Sequence, residues 1–146
     1  MNLSSPGNSI RDEWRALGFY CTPPDDTGNR WYFVGSRQGL GRLASILREY
    51  IVEPVHAKLS EHDHLTPYGW LEIMTWSEAI VTDHAISGSL KDLSRLADLI
   101  ESSLRRADSG EVITIRSEYS ASSTCEIVLD VRDDAYDPGS ADPHAV

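Results

Sequence analysis

Two ten-residue stretches, GSRQGLGRLA at residues 35–44 and GSLKDLSRLA at residues 88–97, carry one pattern at a constant offset of 53 residues (88 minus 35). Each follows a strand-like apolar run, and its leucines recur at the spacing of an amphipathic helix. Ser36 begins the first helical run, and Ser89 and Asp92 are spaced like a capping box. The repeat therefore predicts two helices that each begin directly after a strand.

Strand patterns surround both helices. Aromatic and β-rich runs at 14–22 and 30–34 flank the turn-forming segment PPDDTGN, which predicts a hairpin. Further runs predict a second strand pair at 69–76 and 80–87 and a final pair at 111–119 and 123–132. Local hairpins favour antiparallel pairing, and each helix has one apolar stripe to bury.

These patterns predict an α+β fold: a mostly antiparallel sheet of about six strands with two helices on one face, in the order ββα-ββα-ββ. We expect a flexible N-terminus at 1–13, a single domain at 14–138, and a disordered acidic tail at 139–146, where Asp, Pro, Gly and Ala dominate without periodicity. In the first helix, Gly39 and Gly41 are expected to permit a close approach of helix to sheet.

Length and cysteine content place the chain in a broad class. Its 146 residues suffice for one core, and Cys21 and Cys125 lie in apolar runs, as buried thiols of a reducing compartment would. No run of apolar residues is long enough to cross a membrane. We therefore expect a cytoplasmic protein without a membrane segment.

The net charge is −10, from 13 basic and 23 acidic residues. Such a field disfavours attraction to nucleic acid or to an anionic membrane. Residues 117–146 hold seven acids and only one base, Arg132. The acidic end is either a solubilising tail or a face that meets a basic partner.

The segment EHDH at 61–64 concentrates two histidines and two carboxylates. It admits three interpretations: a solvent-facing loop that precedes a strand, a metal site using His62 and His64, or a partner contact or pH-sensitive pair. No zinc-binding spacing is present, and Pro67 favours a loop that ends before the strand. The loop is the predicted state, with no metal and no cofactor.

Catalytic motifs are missing from the sequence, whereas contact residues are suggested by composition. No nucleophile elbow is present, and alternation along a strand points Asp83 and His84 to opposite faces. Tyrosines next to turns and carboxylates suit interface anchors. The predicted partner-binding residues are Asp133, Asp134, Tyr136, Asp137, Tyr68, His62 and His64.

Several blocks together resemble a family of small bacterial proteins that includes predicted immunity proteins of polymorphic toxin systems. The blocks include WRALGFY, WYFVGSRQGL, SEHDHLTPY, LEIMTW and IVLDVRDDAYDP, and the resemblance spans about residues 14–138. It implies a non-catalytic protein that neutralises a toxin, and an acidic surface suits a basic toxin domain. The alternative function is a small metal-dependent enzyme that uses the His62 and His64 segment.

Overall fold

The computed structural model describes residues 6–25 and 28–145, with side chains from residue 10 onward. Its helices are α1 (Pro6–Leu17), α2 (Arg37–Val52) and α3 (Leu90–Arg105), with short 3-10 turns at Pro54–Ala57, Pro67–Gly69 and Pro138–Ala141. Its strands are β1 (Phe19–Thr22), β2 (Arg30–Ser36), β3 (His62–Leu65), β4 (Leu71–Thr75), β5 (Ile80–Val81), β6 (Ile86–Gly88), β7 (Val112–Ile115) and β8 (Glu126–Arg132).

The strands form two four-stranded mixed sheets, and this corrects the prediction of one sheet with about six strands. The first sheet has the order β1-β2-β8-β7 and the second has the order β3-β4-β6-β5. In both sheets the outer pairs are antiparallel and the central pair is parallel. The α+β class and the β1–β2 and β7–β8 hairpins are confirmed.

The repeat seen in the sequence extends to the whole topology. Each half of the chain supplies a hairpin, a helix and a second hairpin, and the second hairpin joins the sheet of the other half. Thus β8 lies parallel to β2, and β4 lies parallel to β6. The strand predicted at 80–87 is two strands, β5 and β6, and β4 pairs with β6 in parallel, so the predicted hairpin of 69–76 with 80–87 is wrong.

The two repeated helices start and pack as their leucine spacing predicts. Ser36 caps α2 by accepting from the Gly39 N–H, and Ser89 and Asp92 form the capping box of α3. The apolar stripe of α2 meets the first sheet, that of α3 meets the second, and the helices also pack against each other. Buried positions repeat at the same offset: Leu40, Leu43, Ala44 and Leu47 in α2, and Leu93, Leu96, Ala97 and Ile100 in α3.

Gly39 is where α2 comes closest to the rest of the fold. A Cβ on Gly39 would overlap the carbonyl oxygen of Gly18, whose own φ of +91° follows the end of α1. A Cβ on Gly41 would meet nothing within 4 Å. The close approach predicted for both glycines is therefore made by Gly39, and its contact is the α1–β1 junction.

Both ends of the described chain carry more structure than the sequence predicts. α1 occupies residues 6–17, so the strand predicted at 14–22 begins only at Phe19, and residues 6–13 are helical in the stretch expected to be flexible. Within the predicted tail, Asp142 and Ala145 are buried. Ile10, Trp14 and Leu17 are spaced along one helical face, and all three pack in the core.

One hydrophobic core connects both sheets and all three helices. Cys21 and Cys125 are buried free thiols within it, as predicted. Burial raises the pKa of the Cys21 thiol to about 12. Among the helices that the structure describes, none has the length and apolar character needed to cross a membrane.

Candidate binding surface

The first sheet has one face on α2 and an opposite face that carries polar and aromatic side chains. Along β2, Trp31 and Phe33 are buried against the core while Tyr32 points the other way, as the two-residue alternation of a strand requires. The register places Val34 opposite Tyr20 of β1 and Asp130 of β8. These neighbours therefore meet on the face away from α2.

Asp130 is the centre of this face. Arg132 donates to it through both arms of the guanidinium, with Nε 2.9 Å from Oδ1 and the terminal nitrogen 3.0 Å from Oδ2. The Tyr32 hydroxyl donates to the same carboxylate. The Arg132 guanidinium also lies 5.6 Å from the centre of the Tyr136 ring, in cation–π geometry. We call Tyr20, Tyr32, Asp130, Arg132 and Tyr136 the tyrosine–arginine surface.

This surface is concave. A depression of about 330 Å³ lies between the sheet, the β1–β2 connection and the C-terminal segment. Four members of the tyrosine–arginine surface line it, and Val34 and Ala141 contribute apolar wall. Tyrosine and arginine are among the residues that contribute most of the binding energy in protein interfaces, so a concavity lined by them suits a binding site.

The ionisable groups of this surface each keep one protonation state near neutral pH. Burial and the bond to Asp130 raise the pKa of Tyr32 to about 12, and burial with the nearby Asp142 carboxylate raises that of Tyr20 to about 12. Hydrogen bonds from Arg132 lower the pKa of Asp130, and the same pair raises the pKa of Arg132. A general acid or base works best with a pKa near the working pH, so these groups suit binding better than proton transfer.

Of the predicted contact residues, one belongs to this surface and two lie beside it. Tyr136 is part of it, and Asp133 and Asp134 are exposed next to Arg132 at a second depression, which Arg37 also lines. The Asp133 carboxylate accepts from the Ala135 N–H at 2.9 Å, which defines a turn at this point. The acidic run 133–134 thus continues directly from the tyrosine–arginine surface.

Asp137 and Tyr68 form internal contacts. Asp137 accepts from Arg15 at 3.0 and 3.1 Å and caps the turn Pro138–Ala141, and the Arg15 bonds hold its pKa well below its usual range. Tyr68 donates to Asp142 at 2.8 Å and lies against Trp70 with ring centres 4.5 Å apart. These contacts position the C-terminal segment beside the first sheet.

His62 and His64 belong to an edge strand, so the predicted loop is wrong. Both side chains are exposed on one face of β3. This strand pairs with β4, and in their register His64 lies opposite Glu72. Their ring centres are 5.2 Å apart, and each Nδ1 faces a backbone carbonyl, of Ser60 or Gly69. In the described part of the chain, no cluster of three or more His, Cys, Asp or Glu residues is arranged to hold a metal ion.

Most of the tyrosine–arginine surface is made by residues that the sequence did not identify as contact residues. Tyr32 and Asp130 are 98 positions apart, and they meet because β2 and β8 pair in parallel. The signal that was present is alternation: the polar residues of β8, Glu126, Asp130 and Arg132, all lie at positions of one strand face.

The fold and this surface define an α+β domain of two mixed sheets with one open, tyrosine-lined sheet face. Comparison with protein-family models, curated proteins and solved structures found no significant match to this chain.

Proposed function

We propose that this chain is a non-catalytic binding protein that uses the tyrosine–arginine surface and the adjoining Asp133 and Asp134 to bind a basic protein. The resemblance to immunity proteins suggests the partner, a bacterial toxin domain that is neutralised when its active site is covered. The observation that carries the proposal is the concave cluster around Asp130 with exposed acids at its border.

The cluster supports binding because it is preorganised. Asp130 holds Tyr32 and Arg132 in place, and Arg132 in turn contacts Tyr136. Side chains ordered before association lose less conformational entropy when the partner binds. A rigid aromatic and guanidinium surface therefore suits a tight complex.

Charge supports a basic partner. The net charge of −10 attracts cations at long range, and Asp133 and Asp134 place exposed negative charge in the neighbouring depression, which shares Arg132 with the concavity. Edge charges accelerate association with an oppositely charged partner, whereas buried anchors slow dissociation. The two groups of residues should thus have separable kinetic effects.

The test is co-expression with the product of the neighbouring gene in the source genome, followed by affinity purification of this chain. We expect a stoichiometric complex with a basic protein and rescue of growth when that protein is toxic. Toxicity that persists beside a folded, expressed chain would contradict the proposal, as would failure of the two proteins to co-purify.

Variants then locate the contact. Tyr136→Ala should raise the dissociation rate, because it removes an aromatic anchor. Asp133→Asn with Asp134→Asn should lower the association rate and its salt dependence. The matched control, Asp83→Asn with Glu118→Gln, removes the same charge elsewhere on the exposed surface, since the Glu118 backbone lies beside Arg95 of α3. Equal effects of the two charge variants would contradict a local contact.

A further inference from the structure

A second exposed surface lies at the C-terminal end of α2 and the adjoining end of the second sheet. The Ser60 N–H donates to the Thr75 carbonyl at 2.9 Å, which sets the segment after α2 beside the end of β4. Four large apolar side chains near this junction remain in water: Val52, Val55, Leu59 and Trp76, which are 73, 51, 59 and 40% exposed. We call these four residues the apolar patch.

The segment that carries the patch is anchored from beneath. His56 is buried and stacks on Tyr50 with ring centres 3.7 Å apart, and its Nδ1 lies 2.6 Å from the Tyr50 carbonyl. Thr75 donates its hydroxyl to the His56 carbonyl at 2.6 Å. The backbone that carries Val55 and Leu59 is therefore ordered, since His56 is adjacent to Val55.

Exposed apolar side chains scattered singly need no explanation, but a group on one ordered segment does. Among the described residues, six large hydrophobic side chains are exposed, and four of them lie near this junction, three at residues 52–59 and one at residue 76. The other two, Tyr68 and Val112, lie in other parts of the fold. This concentration is typical of a surface that a partner covers.

The charges around the patch indicate what covers it. Glu49, Glu53, Glu61 and Glu78 lie within three positions of patch residues, and none of these carboxylates forms an ion pair in the described structure. Lys58 is the one lysine or arginine at residues 49–61, and Arg48, just before this range, already pairs with Asp98 and Glu101 on α3. The patch therefore has an acidic border.

We propose that the apolar patch is a docking site for a cationic amphipathic segment of a partner protein. Apolar side chains of the segment would cover Val55, Leu59 and Trp76, while its lysines or arginines would meet the glutamates at the border. A second copy of this chain fits less well, because a symmetric contact would bring the same glutamates together. The site shares no residue with the tyrosine–arginine surface.

The test uses a synthetic amphipathic helix of leucine and lysine as the probe, with a leucine–glutamate helix as the charge control. Backbone amide NMR spectra of the full chain follow the titration. We expect the largest shifts within residues 49–61 and 75–78 with the lysine peptide, none with the glutamate peptide, and weaker binding as salt rises.

Variants separate a specific site from general attraction to an acidic protein. Leu59→Ser should weaken peptide binding about tenfold. Val112→Ser is the matched control, because Val112 is also 59% exposed but lies on β7 in the first sheet. Tyr136→Ala, which tests the proposed toxin contact, should leave peptide binding unchanged.

Three results would overturn the docking site. One is binding that shifts only residues of the tyrosine–arginine surface; another is equal weakening by Leu59→Ser and Val112→Ser. The third is self-association of the chain that Leu59→Ser abolishes, which would assign the patch to a second copy. Each is distinguishable from failure of the toxin complex, since the peptide test needs no toxin.

Discussion

Trp14 and Asp142 are 128 positions apart, and the Trp14 indole donates to the Asp142 carboxylate at 2.9 Å in the protein interior. Tyr68 donates to the same oxygen at 2.8 Å. One buried carboxylate thus connects α1, the turn at Pro67–Gly69 and the C-terminal segment. This connection holds the segment that carries Tyr136 beside the first sheet.

Asp142→Ala should destabilise the protein. It leaves the indole N–H of Trp14 buried without an acceptor, and such a loss costs about 1–3 kcal/mol. Urea unfolding followed by tryptophan fluorescence measures the change. Asp134→Ala, at an exposed position, should alter the free energy of unfolding by less than about 0.5 kcal/mol. Equal effects of the two substitutions would contradict the anchoring role of Asp142.

Gly39 and Gly41 offer a matched pair in one helix. Gly39→Ala forces a methyl group against the Gly18 carbonyl and should cost about 1–3 kcal/mol or more through overpacking. Gly41→Ala meets open space and should stabilise α2 by about 0.5–1 kcal/mol. Thermal unfolding of both variants checks the prediction, and a stabilised Gly39→Ala would refute the close contact.

Much of the fold could be predicted because the information was local. Ser36 and Ser89 cap helices whose leucine spacing is visible in the sequence. α1 was missed because only one residue separates its end from the start of β1. Trp14 and Phe19 therefore fall in one aromatic run, which hides the change at Gly18 from helical to strand spacing of the apolar residues.

The sheet order could not be predicted from such local patterns. β2 and β8 lie nearly a hundred residues apart, and nothing in either strand identifies the other as its parallel neighbour. The distance between β2 and β8 in the sequence also explains why only part of the surface could be predicted. Tyr136 and Asp133 were suggested by their acidic neighbours in the sequence, whereas Tyr32 became a candidate only when the fold placed Asp130 beside it.

Tyrosine ionisation should occur in separate steps. Burial raises the pKa of Tyr20 and of Tyr32 to about 12, from an ordinary value of about 10. Because the folded pKa is the higher one, their contribution to stability is present below about pH 10 and is lost as pH rises toward 12. Ultraviolet titration of the phenolate checks this, with Tyr32→Phe removing a late-ionising group. Loss of an early-ionising group instead would contradict the bond to Asp130.

Acid should destabilise the fold through Asp137. Hydrogen bonds from Arg15 and Ser140 hold the pKa of its carboxyl well below the unfolded value of about 3.9. A lowered folded pKa contributes stability above the unfolded pKa, and that contribution is lost as pH falls from about 4 toward the folded pKa. The free energy of unfolding should therefore drop between about pH 5 and pH 3, with part of the drop missing in Asp137→Asn. Asp134→Asn is the control, because that exposed residue forms no ion pair among the described contacts. An identical pH dependence in Asp137→Asn and the wild type would show that Arg15 and Asp137 are not coupled in solution.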